Sequence, residues 1–243
     1  MIHPTAIIEE GAHIAEDVSI GSYAHIAKGA VIGEGVTIDP HVTVRSAVTV
    51  GAGTRLYPFV VLGNGSTAVE IAADCHIREF TRILTETKEQ ASVSIGEGCY
   101  IMAYTHIAQG VVLERGCTIT NNVILSAHSR CQPRVIIGAK STVDAGCTIG
   151  TGSMIGAVSA VRGDIPPYTL AEGHPQALIR GLNLVGMRRQ FESRESITAV
   201  KHLFHQLKQA GYDRTLAAKL AQETSDPHAR YYAAFVAAHT ISA

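Results

Sequence analysis

The 243-residue chain is predicted to be mostly β: a parallel β-helix of hexapeptide repeats over 1–164, then an α-helical domain over 165–243. Three observations predict this. An aliphatic residue recurs every six positions. Glycine recurs at a fixed offset from it. Both patterns stop near Asp164, after which the apolar residues take a helical spacing.

Stepping by six from Ile2 to Leu62 meets only Ile, Val or Leu. The register slips by three and resumes from Ile71 to Val161, broken only at Glu89 and Cys131, so 25 of 27 positions are aliphatic. Four residues after each stands a small or β-branched residue, such as Ala6, Ala12, Val18 and Ala24. Three residues after it, glycine recurs at Gly11, Gly29, Gly35, Gly53, Gly98, Gly116 and Gly152. Glycine supplies the positive φ that a tight corner needs. Cys75, Cys99, Cys117 and Cys147 fall at the small inward position and Cys131 at the aliphatic one, which assigns all five to the core.

Two stretches leave the repeat: the slip at Gly63–Glu70, and Thr85–Ser92, whose charges stand where the repeat demands Leu. The second is predicted to bulge outward, and such loops carry binding residues. Pro166-Pro167 is predicted to end the strands. Leu178–Gln190 reads as a short helix. Ser193 reads as the N-cap of a helix to about Gly211, and two more helices are predicted near Asp213–Glu223 and Asp226–Thr240.

Composition narrows the function. Hydrophobic residues make up 46% and charged residues 17%, enough apolar material for a core and too little charge for disorder. A net charge of −1 with no basic run argues against nucleic-acid binding. No apolar run reaches the ~18 residues of a membrane span, and MIHPTAIIEE lacks a signal-peptide pattern, so a cytoplasmic location is expected.

The repeats resemble those of hexapeptide proteins, which wind left-handed with three hexapeptides per coil. About nine coils then form a prism on the order of 40 Å long. The HPTAI start, HIRE at His76–Glu79, DIPPYTLAEGHPQ from Asp164, and the block Gly181–Arg189 with its GxNxxGxxR spacing resemble, in order, the UDP-N-acetylglucosamine O-acyltransferases of lipid A synthesis. The resemblance implies a homotrimer with active sites between neighbouring prisms. It implies transfer of a hydroxyacyl group from acyl carrier protein to a nucleotide sugar, with no bound cofactor or metal. A coenzyme A thioester is an alternative donor.

That family carries its catalytic base as the second histidine of a motif of the form NAHIAHD. The matching stretch here is AYTHIAQG: His106 matches the first histidine, Gln109 replaces the base, and Gly110 follows it. An amide has no useful basicity near neutral pH. The family's GH pair is Ala127-His128, and a further family histidine is Asp144. The long family loop whose charged residues touch the sugar nucleotide is cut to GNGSTAVE.

With three hexapeptides per coil, Gly110 lies beneath His128, and Ala108 beneath Ser126 and then Asp144. His106, Gln109, Ser126, His128 and Asp144 therefore gather on one outward edge. His106 and His128 are the candidate relocated bases, Gln109 a hydrogen-bonding ligand to substrate, and Asp144 an orienting partner or a further substrate ligand. Asn183, Arg188 and Arg189 are candidate phosphate ligands, by analogy with the family and because Arg presents forked donors. Each has a plainer reading as well: an exposed or interface histidine, a carboxylate capping a turn, a solvated helix face. His76, His106 and His128 do not share a repeat phase, which argues against a trigonal zinc site. Two functions remain open. One is a divergent acyltransferase acting on a nucleotide sugar or related small acceptor. The other is a catalytically silent paralogue that binds a ligand or regulates a true transferase.

Overall fold

The computed structural model describes residues 1–64, 67–84 and 91–241. The six-residue period becomes strands of two or three residues joined by corners, wound into a parallel β-helix of about nine coils. Three sheets result. The first face runs in nine strands from Ile7–Ile8 to Ala160–Val161, and the second in eight from His13–Ile14 to Thr148–Ile149. The third begins at Ser19–Ile20 and has ten. Each residue pairs with its equivalent one coil on: Ile8 with Ile26, Ile107 with Leu125, Leu125 with Val143.

Two coils are longer. Val50 pairs with Ile71, and Ile71 with Ile95. The first coil exceeds its neighbours by half a hexapeptide, within Gly63–Glu70, of which 65–66 lie outside the described residues. The second exceeds them by a whole hexapeptide, between Ile83 and Val93. The expected bulge at Thr85–Ser92 belongs there, and 85–90 lie outside the described residues.

The stepped aliphatic residues form one continuous interior column. Ile26, Leu56, Ile77, Ile107 and Ile137 are fully buried, with the small residues Ala24, Val36 and Val60 between them. All five cysteines are free and buried in this core. The Cys75, Cys99 and Cys117 thiols each donate to a carbonyl one coil on, at Gly96, Glu114 and Gln132 (3.2, 3.3 and 3.3 Å). Burial pushes the Cys131 thiol up to about 12.

The corner between the third and first faces carries a feature of its own. Tyr23, His41, Phe59, Phe80 and Tyr104 all adopt positive φ there, and their rings stack at 4.8–5.2 Å. Each stacked pair is worth about 0.5–1.5 kcal/mol, which offsets the cost of a left-handed backbone at a residue with a Cβ.

Two expectations differ from the structure. Pro166-Pro167 does not end the strands, because the prolines sit in a corner where no ladder donor is needed. Pro166 O accepts from Ser153 Oγ and Thr169 Oγ1, both at 2.7 Å, and Thr169–Glu172 rejoins the third face parallel to Met154–Ile155. Nor is Leu178–Gln190 one helix. Leu178–Leu182 is an antiparallel strand on Thr169–Glu172, whose free edge offers it backbone partners. Helix α1 (Leu184–Gln190) starts only after Asn183, whose side chain accepts from Gly186 N.

The remaining helices match their caps. Ser193, Asp213 and Asp226 begin α2 (Arg194–Gln209), α3 (Arg214–Glu223) and α4 (Pro227–Ala238). Their apolar faces form a second core around Val200, Leu207, Tyr232 and Val236. Tyr231 of α4 ties this unit to the β-helix through Gln132 Oε1 at 2.7 Å. Among the described residues, no helix is long and apolar enough to cross a membrane.

Ile107 is fully buried at mid-prism. Ile107→Ala is expected to lower stability by about 2–5 kcal/mol, read by denaturant unfolding. A loss below about 1 kcal/mol would mean that the interior column is not close-packed.

Candidate active site

The corner between the first and second faces is built from three successive turns that follow His106–Ile107, Ile124–Leu125 and Thr142–Val143. It brings Gln109, Ser126, His128 and Asp144 together on adjacent coils, as the repeat requires. His128 N donates to Gln109 O at 3.0 Å, and Gly146 N to Ala127 O at 3.0 Å. Gly110 adopts φ +68°, and a Cβ there would collide with the His128 ring. The imidazole of His128 thus occupies the space that a side chain at 110 would need. Glycine at this position leaves the room that the ring takes up.

His106 is held differently. It points outward from the first face, half-buried, in a column with Arg82 one coil below and Ile124 one coil above. Burial is the main cause that lowers its pKa below the ordinary value, and the nearby Arg82 charge adds to it. Both favour the neutral imidazole, the form able to accept a proton. The Asp144 carboxylate lies 4.0 Å from Arg162, and both side chains are more than half exposed. An exposed pair at that distance contributes little.

Asn183, Arg188 and Arg189 stand elsewhere in the chain. The Asn183 amide is occupied: it caps α1 and donates to Gly152 O at 3.0 Å. This anchors α1 to the corner between the second and third faces. Arg188 and Arg189 are exposed in its last turn. Within one chain they lie on a different corner from His106, Gln109 and His128. His76 belongs to the third face, with its Nδ1 3.5 Å from Tyr57 OH. Among the described residues no group of three His, Cys, Asp or Glu is arranged to hold a metal ion.

Arg82 is not among the residues that the repeat alone singles out. One regular coil before His106 the sequence has Lys88, but this coil carries an extra hexapeptide, so the partner is Arg82. The insertion at Thr85–Ser92 is the signal available in the sequence.

A parallel β-helix of hexapeptides, closed by a small helical domain and carrying its polar edge at one corner, is the architecture of a hexapeptide-repeat transferase. Comparison narrows it. Residues 164–242 match the family model for UDP-N-acetylglucosamine O-acyltransferase domain 2, and 29–64 and 92–127 match bacterial transferase hexapeptide repeats. A protein of Aliarcobacter butzleri named acyl-[acyl-carrier-protein]–UDP-N-acetylglucosamine O-acyltransferase is 41% identical over 97% of this chain and 94% of its own length. One of the same name from Thiobacillus denitrificans is 43% identical over 92% and 91%. The solved UDP-N-acetylglucosamine acyltransferase of Campylobacter jejuni superposes with TM-score 0.93 at 32% identity, covering 99% of this chain and 97% of its own. The chain belongs to the UDP-N-acetylglucosamine O-acyltransferase family.

The His106 imidazole is expected to titrate below the ~6.5 of a free histidine, followed by NMR of its ring resonances. A cation beside the ring disfavours imidazolium, so Arg82→Ala should move the midpoint upward while burial keeps it below that reference. An unmoved midpoint would separate Arg82 from His106.

Proposed function

We propose that this chain transfers an acyl group from acyl carrier protein to a hydroxyl of a nucleotide sugar, with His106 as the general base. His106 removes the proton of the acceptor hydroxyl. The oxygen attacks the thioester carbonyl, and the carrier thiolate leaves. The curated relatives are named for this donor and a UDP-sugar acceptor. The observation that carries the assignment to His106 is its half-buried place beside Arg82, where the neutral base is favoured. Gln109, at the family's base position, is a neutral hydrogen-bonding ligand to the acceptor. His128, packed over Gly110, is the alternative base.

The proposal includes three chains. Arg188 and Arg189 can reach the phosphates of an acceptor lying at His106 only from a neighbouring chain, since within one chain they lie on another corner. Light scattering should report about three chains, and a stable monomer would remove the shared site.

A second reading, a silent paralogue that binds a ligand or regulates a transferase, is favoured by the amide at Gln109 alone. The two readings separate by measurement. UDP-N-acetylglucosamine and related nucleotide sugars are assayed with hydroxyacyl carrier protein on the wild type and on His106→Ala, His128→Ala and Gln109→Ala. His106→Ala is expected to cost about 10²–10⁴ in turnover. Full turnover in both histidine variants would overturn the relocated base. Binding without turnover in the wild type would leave the silent reading. Gln109→His is not expected to bring full family activity, because Gly110 and the shortened Gly63–Glu70 loop remain.

A further inference from the structure

We propose that the aromatic ridge between the third and first faces lies on the axis of the three-chain assembly, so that the first face of each chain packs on the third face of its neighbour. This rests on the three-chain reading above. The stacked rings of Tyr23, His41, Phe59, Phe80 and Tyr104 form a ridge about 20 Å long. Tyr23, Phe59, Phe80 and Tyr104 are 42–61% exposed. Asn122 and Lys140 follow at the same corner, so the apolar stretch ends at Tyr104. Beyond the N-terminal Met1 and Ile2, the other large apolar side chains exposed on the coils flank this ridge. Ile7 and Ile124 stand on the first face, Met154 on the third and Val158 at the ridge corner itself. Val31 is the exception, on the second face, and among the described residues none stands at the other two corners. A contiguous exposed patch of this kind marks a contact. The ridge is convex, so a flat face cannot cover it, whereas three such edges meeting about an axis cover one another.

The shared site sets the direction of packing. Helix α1, with Arg188 and Arg189, is anchored at the corner between the second and third faces, and His106 stands on the first face. For a neighbour's α1 to come over His106, its second or its third face must lie on this first face. The corner common to the two contacting faces then points at the axis. A second-face contact would gather three polar corners with their exposed Asp144 carboxylates, which repel one another. A third-face contact gathers the three aromatic ridges. Each chain then offers its first face to one neighbour and its third to the other, a head-to-tail contact that closes at three. Rotation about an axis along the prism leaves height unchanged, so residues of one coil meet residues of the same coil. Tyr100 is the outward third-face residue of the coil that holds His106. Tyr100 of the neighbouring chain thus comes opposite His106. Its hydroxyl accepts from Arg78 Nη1 at 3.0 Å, and its ring meets His76 edge-on at 5.8 Å, which fixes its position. The phenolic oxygen has a second lone pair. Accepting the His106 N–H there orients the imidazole and leaves the other ring nitrogen as the base, which makes Tyr100 a positioning residue supplied across the interface.

The chain has no tryptophan, so one substitution makes a single fluorescent reporter. Phe59→Trp on the ridge and Val31→Trp on the second face replace side chains of similar exposure, 45 and 40%. In the assembled full-length protein acrylamide is expected to quench the Phe59→Trp reporter several-fold less than the Val31→Trp reporter. Phe59→Glu and Phe80→Glu are expected to give folded monomers by light scattering and circular dichroism, without turnover because each site lacks its neighbour. Val31→Glu should stay trimeric and active. Tyr100→Phe should keep three chains and an unchanged KM while kcat falls about tenfold and its pH profile shifts. Equal quenching of the two reporters in a trimer overturns the proposal, since the ridge is then open to some other partner. So does a trimer in both charged variants. A wild-type monomer overturns it together with the three-chain reading. A trimer with a shielded Phe59→Trp reporter but no acyl transfer supports the ridge and overturns the catalytic reading. Wild-type kcat and pH profile in Tyr100→Phe overturn the Tyr100 contact with His106.

Discussion

Parallel backbone hydrogen bonds between equivalent residues of successive coils set almost every other distance in this protein. His106 N donates to Val123 O, Ala108 N to Leu125 O and Ser126 N to Val143 O, each at 2.9–3.0 Å. In such a ladder a side chain has no freedom to choose its neighbours: it stands on the residue one coil below and under the residue one coil above. The interior is uniform as a result, which is why an Ile, Val or Leu every sixth residue is tolerated almost without exception. The exterior gains a coordinate system in which a column of unlike residues can be assembled from distant points of the sequence.

The candidate site is such a column read across a corner. Gln109 cannot act as a base, and the glycine after it leaves room into which His128 folds. His106, three residues earlier, stands in the first face with Arg82 as its neighbour one coil below. Placing a side-chain-bearing residue at position 110 would therefore disturb His128 as well as strain a left-handed backbone. Within this chain Gly110 and His128, and His106 and Arg82, are thus coupled across adjacent coils. Helix α1 stands at another corner, where Asn183 commits its amide to holding it in place.

Much of this is legible in the sequence because the period is short and the ladder repeats it without correction. The stepped aliphatics, the glycine corners, the buried cysteines and the caps at Ser193, Asp213 and Asp226 all follow from local rules. So does the stacking of His128 over Gly110. What stays hidden lies wherever a coil departs from three hexapeptides. Arg82 pairs with His106 across the longest coil, and the aromatic stack from Tyr23 to Tyr104 crosses both of the lengthened ones. Leu178–Leu182 has an apolar spacing that suits either helix or strand; the open edge of Thr169–Glu172 decides for a strand.

Everything proposed for the chemistry depends on where an acceptor sits. A crystal structure with a bound nucleotide sugar tests this most directly. The reactive hydroxyl is expected within about 2.6–3.2 Å of the His106 ring, directly or through one water, with the phosphates at Arg188 and Arg189 of a neighbouring chain. A sugar bound with its hydroxyl out of reach of His106, or with its phosphates held within a single chain away from α1, would contradict the relocated base and the shared site.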